Sequence, residues 1–176
     1  VARLEHHWRM QCAQTVKARS MGRSDLAQCR LTSVGSIWGG WHLCEKPLLD
    51  QNTSARALVY SFGLADDTSF GDHLVEKLKS EVHGFDPTRR SYRYMRRRAR
   101  KRTLSPHFTF HNVGLSFFDG KAYFGDVDDL GPEGHLTGAR LQTTYVFPVL
   151  SLPTLMEMNG HCWLDVLKID IEVQYY

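Results

Sequence analysis

The clearest apolar pattern in the chain gathers around Leu58, Val59, Tyr60 and Phe62, a run of strand length, with Gly63 where the backbone must turn. Beyond it, Phe70, Leu74 and Leu78 recur at i, i+4 and i+8, so one stripe of a helix is apolar and can lie on a sheet. Ser69 is placed to cap that helix, and Asp72, three residues on, faces its positive end. A second strand covers residues 81–85 and closes on Asp86-Pro87. Thr88 then caps a helix through the basic run from Arg89 to Arg102, which lacks Gly and Pro. Phe108, Phe110, Val113 and Leu115 mark a third strand over residues 107–115, and Asp119-Gly120 predicts a hairpin turn within residues 116–123. Tyr145 to Val149 is a short extended approach to a helix with Ser151 as N-cap, Pro153 in its first turn and Gly160 as its stop. Leu164 to Ile171 reads as a fourth strand, apolar on both faces as a central parallel strand should be. Lys168 interrupts it and must snorkel or pair with Asp86, Asp170 or Glu172.

These elements predict an α/β domain over residues 53–176, and right-handed crossovers order its four strands 3-2-1-4. The first 52 residues read as a partly irregular extension. Leu4, Trp8 and Cys12 fall at weak helical spacing, an accessory helix or a disordered lead. Gly35, Gly39 and Gly40 with Trp38 and Trp41 predict loop and short extended pieces whose indoles pack on the main domain.

Composition adjusts this picture in several places. The 176 residues are 42% hydrophobic, enough for one sizeable domain. The formal charge of +3 is a local effect: the run from Arg89 to Arg102 holds nine of the 22 basic residues, leaving 13 against 19 acids elsewhere. That run, with Tyr92 and Tyr94 interleaved, suits an anionic partner, although direct nucleic-acid binding is the lesser expectation. Cys12, Cys29, Cys44 and Cys162 show no C-x-x-C pairing, so a zinc site or disulfide framework is not expected; a Cys29–Cys44 bridge and free buried thiols both stay open. No apolar stretch reaches membrane-spanning length and no signal segment is visible, while the start at Val1 leaves an upstream segment and the compartment open. The acidic loop over residues 125–138 fails a calcium pattern at Leu130 and Thr137.

The candidate chemistry sits at the strand ends. An acid about 20 residues beyond a glycine turn, closing the next strand, is where dinucleotide-type sites hold ribose hydroxyls, and Gly63 with Asp86 fits that spacing. The turn lacks G-x-G-x-x-G, and Asp66 and Asp67 would repel a pyrophosphate, so a phosphate-free, sulfonium-bearing ligand suits it better. The alternative is a plain βαβ core unit without a ligand. In the expected strand order the crevice lies between strands one and four. Gly63 would then allow close backbone approach and Asp86 would take ribose hydroxyls. Asn112 and Gly114 would border an adenine, with Asp170 and Glu172 toward the rest of the ligand or an acceptor.

Several of these pieces recur together in one known family. Tyr60-Ser61-Phe62-Gly63, Ser69-Phe70, Glu81-Val82-His83, Phe85-Asp86-Pro87-Thr88, the run from His111 to Leu115 and the run from Leu167 to Glu172 resemble, in the same order, the animal methyltransferase-like proteins related to the FkbM family. The resemblance spans roughly Cys29 to Glu172 and includes the Arg-Leu-x-x-x-Gly segment before Trp41 and Cys44. It implies a Rossmann-like methyltransferase sheet, S-adenosylmethionine as methyl donor, and a donor site drawing on Tyr60, Ser61, Gly63, Asp86, Asn112, Asp170 and Glu172. Such sheets continue with further strands, and the family carries glycine where this chain has Val173. The expectation is therefore a C-terminally truncated isoform or incomplete gene model holding the donor half, with weak or no catalysis alone. A non-enzymatic module using the run from Arg89 to Arg102 is the competing expectation.

Overall fold

A computed structural model describes Cys12 and residues 31–44, 56–124 and 145–171. In chain order the strands and helices are β1 (Leu31–Val34), β2 (Trp41–Cys44), β3 (Leu58–Phe62), α1 (Ser69–Leu78), β4 (Glu81–Phe85), α2 (Arg89–Arg100), β5 (Phe108–His111), β6 (Gly114–Ser116), β7 (Gly120–Phe124), β8 (Tyr145–Ser151), α3 (Leu152–Met158) and β9 (Val166–Ile169). The main sheet is parallel and runs β5-β4-β3-β9. Its labels differ from the expected 3-2-1-4 because the whole chain contributes strands outside this sheet: β1 pairs with β2, and β6-β8-β7 form a separate three-stranded sheet.

Alternation along β3 sorts its side chains into two cores, and every residue of the strand is buried. Val59 faces a core with Leu64, Phe70, Leu74, Val82 and Phe108. Tyr60 and Phe62 face the other with Phe85 and Leu155 of α3. At about 1.5–3 kcal/mol for each fully buried large apolar side chain, these two layers dominate the fold's stability. The stripe expected on α1 is the one observed, with Phe70, Leu74 and Leu78 buried.

α2 forms despite its charge. Thr88 caps it by accepting a hydrogen bond from the Ser91 amide at 3.2 Å. Arg90 grips Asp66 at 2.8 Å, Arg98 grips Asp72 at 2.7 Å and also donates to Thr68, and three arginines in the last turn oppose the negative helix end. Only Ser91 and Met95 of α2 are buried.

Other expectations need correction. Ser69 is not the cap of α1: Thr68 holds that position without a side-chain cap bond, while Asp67 accepts from the Ser69 amide and the Ser69 hydroxyl accepts from the Ser36 amide. The third strand breaks after His111, because Asn112 turns to donate to the Asp86 carbonyl at 2.8 Å, and the chain resumes as β6 in the other sheet. The hairpin at Asp119-Gly120 does not form, since β8 lies between β6 and β7. Asp119 instead accepts from the Ser151 amide at 2.6 Å and the Thr154 hydroxyl at 2.7 Å, bracing the start of α3 alongside the expected Ser151 cap. Among the described residues β9 borders only β3, the apolar edge position that a chain ending after its fourth strand leaves, and its Leu167 and Ile169 are each 42% exposed, so the strand is not buried on both faces. Residues 31–44 form an antiparallel pair, and Trp38 is exposed, whereas Trp41 lies against Lys168.

The cysteines depart from expectation in the Cys12–Cys162 bridge, whereas a disulfide at Cys44 was one of the alternatives left open. Cys12 is bonded to Cys162, Cys44 lies in a disulfide as well, and no free cysteine is present among the described residues. The N-terminal lead apart from Cys12, for which a helix and disorder both stayed open, the acidic loop over residues 125–138, and Glu172 lie outside the described residues.

Candidate functional site

The carboxyl ends of the parallel strands bring four of the expected site residues together. Gly63 turns with φ +76°, its amide donating to the Phe85 carbonyl at 3.0 Å. A Cβ there would sit 1.7 Å from the Asp170 carbonyl oxygen, so the glycine is needed for the approach of β9's end to the turn. Asp86 is buried. One carboxylate oxygen accepts from the Leu64 and Ala65 amides at 2.9 and 2.8 Å, the other from the Thr88 amide and hydroxyl at 2.8 and 2.6 Å. Asn112 is tied to the Asp86 backbone, and the Asp170 amide donates to the Phe62 carbonyl at 3.2 Å. Gly63, Asp86, Asn112 and Asp170 thus share one edge.

Their chemical availability differs. The Asp86 oxygens are already held by four donors, and a ribose hydroxyl would have to displace one of them. The Asp170 carboxylate is 49% exposed and accepts from the buried Lys168 ammonium at 3.0 Å. That ammonium also lies 5.6 Å from the Trp41 ring centre and 5.8 Å from that of Phe70, which answers the question of how a lysine is tolerated in β9. Of the acids considered for it, Asp170 is its partner among the described residues. Asp66 has its charge met by Arg90. Partial burial pushes Asp67 up, but hydrogen bonds from Ser36 and Ser69 outweigh it and hold the carboxyl below its usual range.

Tyr60 and Ser61 are not at this edge. Both are buried in the middle of β3, where Tyr60 points into the core under α3. Two open surface hollows lie elsewhere, one between Asp72, Glu76, Arg98 and Thr103, the other between Ser36, Ser69 and His73.

Tyr60 leads to a second cluster that the sequence reading missed. Glu81, His83 and Phe85 alternate on the same face of β4 as Tyr60 on β3, because Tyr60 and His83 are in register. His83 Nδ1 lies 2.9 Å from His111 Nε2, and the Tyr60 hydroxyl lies 2.7 Å from His161 Nδ1 in the loop after α3. His83 and His161 meet edge to face, ring centres 4.7 Å apart. Burial drives all three imidazoles toward neutrality: His111 falls to about 4, with His83 and His161 adding to the effect, and His83 falls although Glu81 opposes it. Burial also raises the Tyr60 hydroxyl to about 12. The Glu-x-His spacing in β4 was the available signal; His161 joins only through the fold.

Comparison with protein-family models, with curated proteins and with solved structures gives no match to this chain. Among the described residues no helix is long and apolar enough to cross a membrane.

Proposed function

We propose that this chain carries the donor-binding site of an S-adenosylmethionine-dependent methyltransferase of the FkbM-related kind. The observation that carries the reading is the gathering of Gly63, Asp86, Asn112 and Asp170 at the carboxyl ends of β3, β4, β5 and β9. Chain order reverses there: β4 and β5 extend the sheet to one side of β3, and β9 returns on the other, the position where open α/β sheets take ligands.

The donor, when bound, supplies an electrophilic methyl group on a sulfonium. This chain's residues would orient it. The exposed carboxylate of Asp170 fits a hydroxyl or ammonium group of the donor, and the Asn112 side chain helps fix the rim. Asp86 fits by holding the Leu64-Ala65 turn in shape, and it takes a ribose hydroxyl only in exchange for one of its four donors. Positioning for in-line attack accounts for most of such catalysis. The acceptor and the base serving it are left unassigned.

Calorimetric titration of S-adenosylmethionine into this chain tests the reading. The expected result is saturable binding, weakened about tenfold (~1.4 kcal/mol) by Asp170→Ala. Absence of saturable heat at millimolar donor overturns it.

The second reading is a non-enzymatic module that binds an anionic partner through α2, favoured by the exposure of Arg93, Arg96, Arg97 and Arg100 beside Tyr92. It predicts retention on a heparin matrix that falls with salt and disappears when those four arginines are replaced by alanine.

A further inference from the structure

The cluster beneath α3 has a composition and an unfilled valence that the methyl-donor reading leaves unused. Glu81, His83 and His161 each offer one ligand atom, and these atoms all lie within 4.8 Å of one another. His83 is only 6% exposed, yet its Nε2 has no hydrogen-bond partner. Glu81 Oε1 is 3.5 Å away without the alignment of a hydrogen bond. A buried imidazole nitrogen facing a carboxylate and a second imidazole across a small gap is a costly arrangement for a plain core, since a buried polar atom left without a partner loses its hydration and gains nothing in exchange.

We propose that Glu81, His83 and His161 bind a divalent transition-metal ion, zinc foremost, with a further coordination position open toward solvent on the Glu81 side. The donor chemistry fits: two imidazoles and one carboxylate are a common protein set for zinc with an open position. At metal–ligand distances of about 2.0–2.2 Å, tetrahedral ligand atoms stand about 3.4 Å apart, close to the 3.5 Å between Glu81 Oε1 and His83 Nε2. Seating His161 requires up to about 1.4 Å of side-chain adjustment from the 4.8 Å limit. Glu81, half exposed, supplies the mobile arm.

The surrounding bonds are those a metal ligand needs. With the His83 proton on Nδ1, donated to His111 Nε2, the lone pair of His83 Nε2 faces the gap. With the His161 proton on Nδ1, donated to the Tyr60 oxygen, His161 Nε2 is left for the ion, and the Tyr60 hydroxyl passes its own proton toward the Leu155 carbonyl at 3.5 Å. The Cys12–Cys162 disulfide adjoins His161 and restrains the loop that presents it. This site is on the face of the main sheet under α3, separate from the carboxyl-end cluster of Gly63 and Asp170.

The test uses the whole, disulfide-intact chain, stripped with a chelator and titrated with zinc chloride alone, in competition with a chromophoric chelator; Co2+ replaces zinc as a spectroscopic probe. The expected result is one zinc per chain with micromolar or tighter affinity. Glu81→Gln or His161→Gln should weaken it by at least about 30-fold, and Tyr60→Phe by about 10-fold, as expected for a residue bonded to a ligand. His42→Ala, an exposed histidine outside the cluster, should leave it unchanged. Cobalt should give visible absorption that Glu81→Gln removes. Circular dichroism checks that each variant is folded; Glu81→Gln alters a half-exposed side chain and keeps the test decisive if His161→Gln does not fold. Absence of saturable zinc binding, or binding that survives both Glu81→Gln and His161→Gln, overturns the proposal.

Discussion

Replacing Asp86 by asparagine separates two accounts of that residue. In the structure its carboxylate joins the turn after β3 to the start of α2 through four hydrogen bonds, from the Leu64, Ala65 and Thr88 amides and the Thr88 hydroxyl. An asparagine of the same shape keeps one accepting oxygen and turns an NH2 group toward the other pair of donors. With the oxygen kept toward the Leu64 and Ala65 amides, the Thr88 hydroxyl can turn to accept from that NH2, but the Thr88 amide then faces it donor to donor in a buried place, and the bonds that remain are to a neutral group. At roughly 1.5–3 kcal/mol for a hydrogen bond to a charged group, with incomplete additivity, the expected loss is about 3 kcal/mol. That is a large fraction of a typical domain's 5–15 kcal/mol. Urea unfolding followed by circular dichroism should show a lower midpoint with an unchanged slope, since the surface exposed on unfolding is the same. A loss under about 0.5 kcal/mol would refute the reasoning and free the carboxylate for the ribose role expected from spacing alone.

Gly63→Ala should be worse tolerated than any exposed change. Its Cβ would meet the Asp170 carbonyl at 1.7 Å on a residue with φ +76°, so β9 must leave β3, and loss of soluble folded protein in an expression and circular-dichroism comparison is the expected outcome. Acid should destabilise the fold through His111, whose ring falls to about 4 from an ordinary 6.5. Between those values the unfolded chain binds a proton the folded chain excludes, so stability is full above pH 6.5 and falls as pH drops toward 4. About 1–2 kcal/mol is expected after discounting for water reaching the ring, and His111→Phe should flatten that part of a thermal-melt pH series. Opening the Cys12–Cys162 bridge, which spans 150 positions, by Cys12→Ser with Cys162→Ser should lower stability by about 2–5 kcal/mol in urea.

The parts of this fold that were readable from sequence are those set by local periodicity. Leu58 to Phe62, the Phe70-Leu74-Leu78 stripe, the Thr88 cap and the Ser151-Pro153 helix start each depend on neighbours within a few positions. Misreadings arose where a distant partner decided the outcome. Asn112 ends β5 because the Asp86 carbonyl is beside it, and Asp119 forgoes a hairpin because Ser151 and Thr154, more than thirty residues on, take its carboxylate. The same holds at the candidate sites. The carboxyl-end group of Gly63, Asp86, Asn112 and Asp170 was legible because strand ends and crossover handedness follow from the element order. The placement of Tyr60 in the core, the disulfide at Cys162 and the histidine cluster were not, because each joins segments that only the packed chain brings together.

The inward turn of Lys168 has a consequence for how the molecule behaves in company. Sheet rims in soluble proteins are commonly guarded by an outward lysine, whose charge discourages a second strand from docking. Here the ammonium is committed to Asp170 beside Trp41, while Leu167 and Ile169 face water on either side of it. Among the described residues the rim of β9 is thereby left without its sentinel, so self-association should grow with concentration and be relieved by Leu167→Lys or Ile169→Lys.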